Sequence, residues 1–435
     1  MTILAFVIGV VVLIVGLAVS IALHEIGHLV PAKAFGVRVG QYMIGFGPTL
    51  FSRRRGETEY GVKLLPLGGY ISMAGMYPPA PAVEEDAGDA GGAPGRRARG
   101  RVSSRFFRTL VQDAREANAE TLIGAEERTF YRLPVYKRVI IMLGGPFMNL
   151  LLAVVLFTIL FSGFGVQTAT TTVSSLSECV PASSTSQECA SSAAPAAQAG
   201  LEPGDTIVSI DGQAVADFTE ATALIQASPG RAMNFVIDRD GTQRTVTITP
   251  AAVPKADDPS TEIGFIGVRP TGALVAQPLW AGPQAAIENV GAVAGIIVKL
   301  PVMVAETAST LVTGAERDPN GPLSVVGAGV IAGEMASSSS PIVNRVAGII
   351  GLLGSLNIAL FVFNLVPLLP LDGGHVVVAL WDGIKRWWAR IARRPAPRPV
   401  DATKLVPLTF VVVAALAVMG GVLILADLIN PLSLI

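Results

Sequence analysis

A chain of 435 residues that is 51% hydrophobic and only 15% charged departs from soluble composition, in which about a quarter of residues carry charge. The deficit is uneven, long uncharged runs alternating with very polar stretches, and this excludes an ordinary water-soluble globule. The formal net charge of −1 says nothing by itself, whereas the distribution of charge is informative; no nucleic-acid partner is expected.

The first predicted element, over 1–30, is a span. Ile3 to Leu23 carries no charge, and 21 helical residues rise about 30 Å. It lacks a basic leader and exceeds the apolar core of a cleaved signal, so it is expected to be retained. At its inner end stands His24-Glu25-Ile26-Gly27-His28. Residues four apart share a helix face, so His24 and His28 can offer ring nitrogens to one metal ion, with Glu25 beside them as general base. The chain has only three histidines, which makes this clustering specific. Ionisable residues in a span are costly and are read as functional.

A loop over 31–138 follows. Within it, 41–76 reads as short strands and turns too apolar at its ends for a free loop; a hairpin dipping into the bilayer is allowed only if protein or a water-filled cavity satisfies its backbone. Pro78 to Ser104 is rich in Pro, Ala and Gly and is expected to be disordered. Arg105 to Glu127 reads as a polar helix. Val139 to Phe164 is the second uncharged span. Cys179 and Cys189 then stand ten apart, spacing that suits a local disulfide in an oxidising compartment. The stretch 168–270 alternates like a small β-rich domain with one or two helices.

The segment 271–345 reads as helical. Its apolar run, Ala292 to Ala305, is short and interrupted by Lys299, so an interfacial helix is expected there rather than a span. The third span is placed at 346–380, where the uncharged run Val346 to Leu371 leads into Leu371-Asp372-Gly373-Gly374-His375. Two prolines, Pro367 and Pro370, break the helix before Asp372, and broken backbone at membrane depth belongs against a site. A catalytic zinc takes three protein ligands, and on spacing alone Asp372 and His375 both compete for the third place. A basic loop, 381–404, and a fourth span, 405–429, complete the chain. The loops 31–138 and 381–404 hold 24 of the 32 Lys and Arg, which predicts that they are cytoplasmic and that both termini are outside.

Taken together, these residues resemble the site-2 protease family of intramembrane zinc metalloproteases, in its bacterial branch. The resemblance covers His24-Glu25-x-x-His28, Phe46-Gly47-Pro48 through Gly68-Gly69-Tyr70, Gly145-Pro146-x-x-Asn149, and Asn364-x-x-Pro367 with Leu371-Asp372-Gly373-Gly374-His375. It implies one zinc ion held by His24, His28 and Asp372, Glu25 as the base, and a packing part for His375. It implies that Asn364 and Asn357 hold the substrate and that the hairpin around Gly68 and Gly69 pairs with it. Ala199-Gly200-Leu201-x-Pro203-Gly204-Asp205 onward is similar to a PDZ domain, with Ile263 to Val268 as its closing strand. The expected fold is a polytopic α-helical membrane protein of about four spans, with one extracytoplasmic PDZ-like α+β domain and a membrane re-entrant β-hairpin. The expected activity is hydrolysis of single-span proteins such as anti-sigma factors in a bacterial plasma membrane, after a first cut by a site-1 type protease. An inactive scaffold would not need Glu25, and a zinc transporter would need ionisable residues in the second span, which has none.

Overall fold

The computed structural model describes residues 2–76, 111–112, 121–125, 127–183, 189–255, 258, 260–315, 317–319, 321–395, 397–400 and 405–431. The expected disordered insert, Pro78 to Ser104, lies outside them, as does most of the expected polar helix. The chain divides into two compact units, one of residues 1–160 with 279–435, the other of 161–278.

In the first unit, α1 (Thr2–Ala34) is a helix of 33 residues, about 50 Å long. One side, with Val7, Ile8, Val11, Val15 and Val19, stands exposed; the other buries Leu13, Ser20 and Ile21. Five helices among the described residues are long and apolar enough to cross a membrane. They are α1, α2 (Val135–Thr158, its last turns widened over Ile159–Phe164), α5 (Ala281–Thr313), α7 (Ile342–Asn364) and α9 (Val406–Ile429). The chain is thus a multi-pass membrane protein.

Two helices differ from expectation. The run expected to be short, Ala292 to Ala305, is the middle of the 33-residue α5, which continues unbroken through Lys299. The stretch 346–380 is not one span. It ends as a helix at Asn364, turns, and restarts at Asp372 as α8 (Asp372–Ile391). Much of the expected basic loop is the end of that amphipathic helix, with Trp387 and Trp388 exposed on it.

Depth along the bundle follows from contacts with α1. A short helix, α6 (Val325–Ser337), lies beside its first half, where Gly9 leaves room for Ala332 and Gly333 for Phe6. Helix α7 faces the middle, Leu353 against Gly16. Helix α2 meets the last third, where the backbones of Gly27 and Gly144 touch so closely that a Cβ on either would strike the other's carbonyl. The two ends of α5 meet the bundle at similar depth. Gly282 packs on Thr158, at the end of α2, and Thr310 and Gly314 line a cavity with Ile429 and Asn430, at the end of α9.

Between α1 and α2 the chain forms a curled sheet from β1 (Val39–Arg55) and β2 (Thr58–Met73). The bend at Gly45 requires a positive φ, 92°, that few other residues adopt. Because both strands fold back, Gln41 to Ile44 pairs with Glu59 to Val62 on one side and with Gly69 to Ser72 on the other. Gly69 to Met73 is therefore an outer edge. The sheet is anchored by Tyr42, whose hydroxyl donates to Ala22 O at 2.8 Å, and by Lys33, which donates to the Tyr60 hydroxyl at 2.7 Å.

The second unit is β-rich. Its main sheet runs β12-β3-β6-β8-β9, from Val268–Val275, Val166–Leu176, Thr206–Ile210, Met233–Arg239 and Thr242–Ile248, with β7 (Gln213–Ala214) pairing β6. Alternating residues Ile207, Phe235, Ile237 and Ile248 fill the core with α3 (Pro195–Gln198) and α4 (Phe218–Gln226) over them. Helix α4 is capped by Asp217, which accepts from the Thr219 and Glu220 amides, while Glu220 accepts from Ala216 N. The expected closing strand, Ile263 to Val268, is split. β11 (Glu262–Phe265) pairs with β10 (Ala251–Pro254), Gly267 turns at φ 81°, and β12 joins the main sheet beside β3. Cys179 and Cys189 are joined as a disulfide across β4 (Cys179–Pro181) and β5 (Cys189–Ser192).

Candidate metal centre

The site is assembled where α1, α2, β2 and the start of α8 converge. On α1, one helical turn stacks His24 over His28, ring centroids 4.9 Å apart. Both rings fit because α2 presents Gly145, where a Cβ would collide with His28 Nε2 and lie 2.8 Å from His24 Cε1. Glycines 27, 144 and 145 thus bring two apolar helices into backbone contact while leaving a pocket for two imidazoles.

Asp372 arrives from the far end of the chain. The Pro367 and Pro370 break ends α7 and lets α8 start in a new direction with Asp372 in its first turn. Gly373 and Gly374 are required, since a Cβ at either would strike the backbone of 365–366 or 368–369. The three ligand-capable atoms form a nearly equilateral triangle. His24 Nε2 lies 3.2 Å from His28 Nε2, and Asp372 Oδ2 lies 3.3 and 3.4 Å from the two nitrogens. Tetrahedral zinc with bonds of about 2.0–2.1 Å separates its ligands by about 3.3 Å. Asp372 Oδ2 is buried with no aligned hydrogen bond of its own. Two imidazoles, one carboxylate and an edge length of this size fit a zinc ion with a fourth position left open.

Glu25 is 7% exposed and faces the hairpin: a Cβ on Gly69 would lie 2.9 Å from its Cγ. Among the described residues no Lys or Arg forms an ion pair with it. Gly68 is occupied in a different way, its Cα packed beneath the Phe46 ring. The sheet edge therefore runs directly past the carboxylate.

The other residues singled out from sequence are placed unequally. Asn364, at the end of α7, donates to Leu360 O at 3.0 Å and is partly exposed. Asn357 is fully buried, donating to Ser20 Oγ at 3.0 Å and Leu353 O at 2.8 Å. Its bond to Ser20 ties α7 to α1. His375 lines a small cavity with Arg138 and Asp382, one turn beyond the triangle and outside it.

Two features were missed. Helix α2 supports both imidazoles: Ile141 O lies 2.7 Å from His28 Nδ1, and Asn149 Nδ2 lies 3.0 Å from His24 Nδ1. The signal was a lone Asn in an otherwise apolar span. Arg138 and Asp382, 4% and 2% exposed, form an ion pair of 3.0 Å that joins α2 to α8 below the site. Nothing in local pattern points to a pairing between residues 244 apart.

Comparison with known proteins agrees with this geometry. The pattern of Peptidase family M50 matches residues 12–394. The chain is 32% identical to "Zinc metalloprotease Rip1" of Mycobacterium tuberculosis over 99% of both chains, and 32% identical to the protein of that name from Mycolicibacterium smegmatis, again over 99% of both. It is also 26% identical to "Metalloprotease MmpA" of Caulobacter vibrioides over 88% of each. The match spans the histidine pair, the aspartate and everything between them. The chain belongs to peptidase family M50, the site-2 proteases, and is a zinc metalloprotease of the membrane.

Proposed function

We propose that this protease cuts single-span membrane proteins, anti-sigma factors among them, within or beside the bilayer, after another protease has made a first cut. The observation that carries this reading is the triangle of His24, His28 and Asp372 beside a strand edge that is unpaired among the described residues, both set among lipid-length helices.

His24, His28 and Asp372 hold the metal. Zinc, when bound, supplies Lewis-acid polarisation of a carbonyl and lowers the pKa of water toward about 7. Glu25, buried beside the metal ligands, takes the proton from the attacking water and returns it to the leaving amine. A helical substrate hides its carbonyls in its own hydrogen bonds and has to unwind. Gly69 to Met73 offers an unwound segment the backbone partners it has lost, by β-augmentation, and Gly69 brings that segment against Glu25. Asn364, near the α7–α8 break, is placed to hold the same segment.

The basic loops put the hairpin, Asp372 and α8 on the cytoplasmic side, and both termini and the β-rich unit outside. Helix α5 lies along the outer surface, which is supported by its two ends meeting α2 and α9 at similar depth and by exposed Trp280 before its start. Four spans remain. The β-rich unit serves as a PDZ-type filter for the outer remnant of a substrate, supported by β11 lying beside α4, the pairing that such a groove uses.

The test is co-expression of wild type and Glu25→Gln with a library of tagged single-span proteins, some carrying truncated outer portions. Fragments formed only with wild type, and chiefly from truncated substrates, are expected. Fragments that form equally with both enzymes would remove the reading.

A further inference from the structure

We infer that Asn149 is a positioning residue for the metal site, its side-chain carbonyl accepting a hydrogen bond from His24 Nδ1 so that His24 presents a bare Nε2 to zinc. The inference rests on His24 being a ligand, as proposed above.

The argument starts from His28. Its Nδ1 lies 2.7 Å from Ile141 O, which can only accept, so Nδ1 carries the proton and Nε2 is free to bind metal. His24 points its Nε2 into the same triangle and needs the same tautomer. Its Nδ1 faces the Asn149 side chain, 1% exposed, and among the described residues no other group bonds that nitrogen.

An amide can meet this nitrogen in two ways. With Nδ2 toward the ring, at 3.0 Å, it donates to a bare Nδ1, which places the ring proton on Nε2, aimed at Asp372 Oδ2 3.3 Å away. That arrangement suits a site without metal, and it leaves Asn149 Oδ1 buried with no partner. A half-turn about the Cβ–Cγ bond exchanges the two ends. Oδ1 then accepts from Nδ1–H, and Nε2 is released for the metal. The half-turn trades an unpaired acceptor for unpaired N–H donors, so hydrogen-bond count alone does not choose between them. A zinc ion does, because it cannot bind a protonated nitrogen.

An asparagine therefore serves the ring in both states, which neither a carboxylate nor an apolar residue can do. Helix α2 then holds both imidazoles through neutral acceptors, one from its backbone and one from Asn149. Supports of this kind change metal affinity 10- to 100-fold when removed.

The experiment is zinc affinity of the full-length protein in detergent, by competition with a chromophoric chelator, with the visible spectrum of the Co²⁺-substituted protein as a second readout. Asn149→Leu is expected to weaken zinc 10- to 100-fold and to shift the Co²⁺ bands. Asn149→Asp, which can only accept, is expected to bind zinc as tightly as wild type or more tightly. If Asn149→Leu binds zinc like wild type, or Asn149→Asp weakens it tenfold or more, the inference is overturned; the second arm stands even if the leucine variant does not fold. His24→Ala separates the two readings, since zinc held normally by that variant would sink the ligand assignment itself.

Discussion

The two units of this chain bury opposite kinds of residue. The β-rich unit hides Phe235, Ile207, Ile210, Ile237 and Ile248 and shows water its polar side chains. The helical unit exposes valines and leucines along α1, α2 and α9 and hides His28, Glu25, Asn149, Asn357 and the pairs Arg138–Asp382 and Arg317–Asp427. The difference is one of solvent. In water, apolar burial drives folding; in lipid, outward-facing leucine costs nothing, and polar groups gather inside because only there do they find partners. The candidate metal centre thus lies in the kind of place where the helical unit tolerates charge.

That contrast can be attacked first at the metal centre. Glu25→Gln is expected to lower peptide hydrolysis by about 10²–10⁴-fold while zinc content stays near one per chain, measured by cleavage of a fluorogenic peptide and by metal analysis. Asp372→Asn should lose bound zinc as well as activity, separating ligand from base.

The cores come next. Phe235→Ala should destabilise the β-rich unit by about 3–5 kcal/mol, read by denaturant unfolding, without changing zinc content. In the helical unit a polar deletion should hurt by a similar amount. Arg138→Met leaves Asp382 buried with Lys385, 3.3 Å away, as its remaining cation and should cost about 3–5 kcal/mol in a thermal-shift or steric-trap assay, whereas Arg138→Met with Asp382→Leu should recover most of it. Equal damage from the double variant would show that the pair contributes more than mutual neutralisation.

The smallest effect concerns pH in the β-rich unit. Asp205 is held below the usual carboxylate range, chiefly by its hydrogen bonds to Arg239, the nearer of 2.7 Å, and further by the Glu202 amide. A depressed folded value means that the stabilisation is complete above the unfolded value, about 3.9, and is lost as pH falls through the folded one. Unfolding of this unit, followed by hydrogen-exchange signals, should become easier below about pH 4. Asp205→Asn should flatten that dependence and cost about 1.5–3 kcal/mol at neutral pH.

What was legible in the sequence follows the range of the interactions. His24, Glu25 and His28 are set by one helical turn, so five residues of sequence define their geometry. Asp372 was legible as a carboxylate after a break, but its rivalry with His375 turned on how α8 restarts, which depends on Gly373 and Gly374 clearing the preceding loop. Asn149 stands in the Gly145-Pro146-x-x-Asn149 motif, but its bond to His24, like the Arg138–Asp382 pair, joins residues more than a hundred apart and leaves no local pattern. Helix α5 was cut short by reading charge as a boundary, although an isolated Lys299 interrupts apolarity without interrupting hydrogen bonding. The basic stretch from Trp381 resembles a loop in composition for the same reason, because its charges line one face of a helix. The split of the expected closing strand hinged on Gly267 alone, whose positive φ turns the chain between two ladders.

The edge formed by Gly69 to Met73 has one more consequence. A strand edge exposes amide hydrogens and carbonyl oxygens, which every amino acid except proline supplies alike. Were a substrate to pair there, as proposed, recognition would be blind to side chains, and selection among candidate peptides would fall to how easily each gives up its helix and whether its bulk clears the approach.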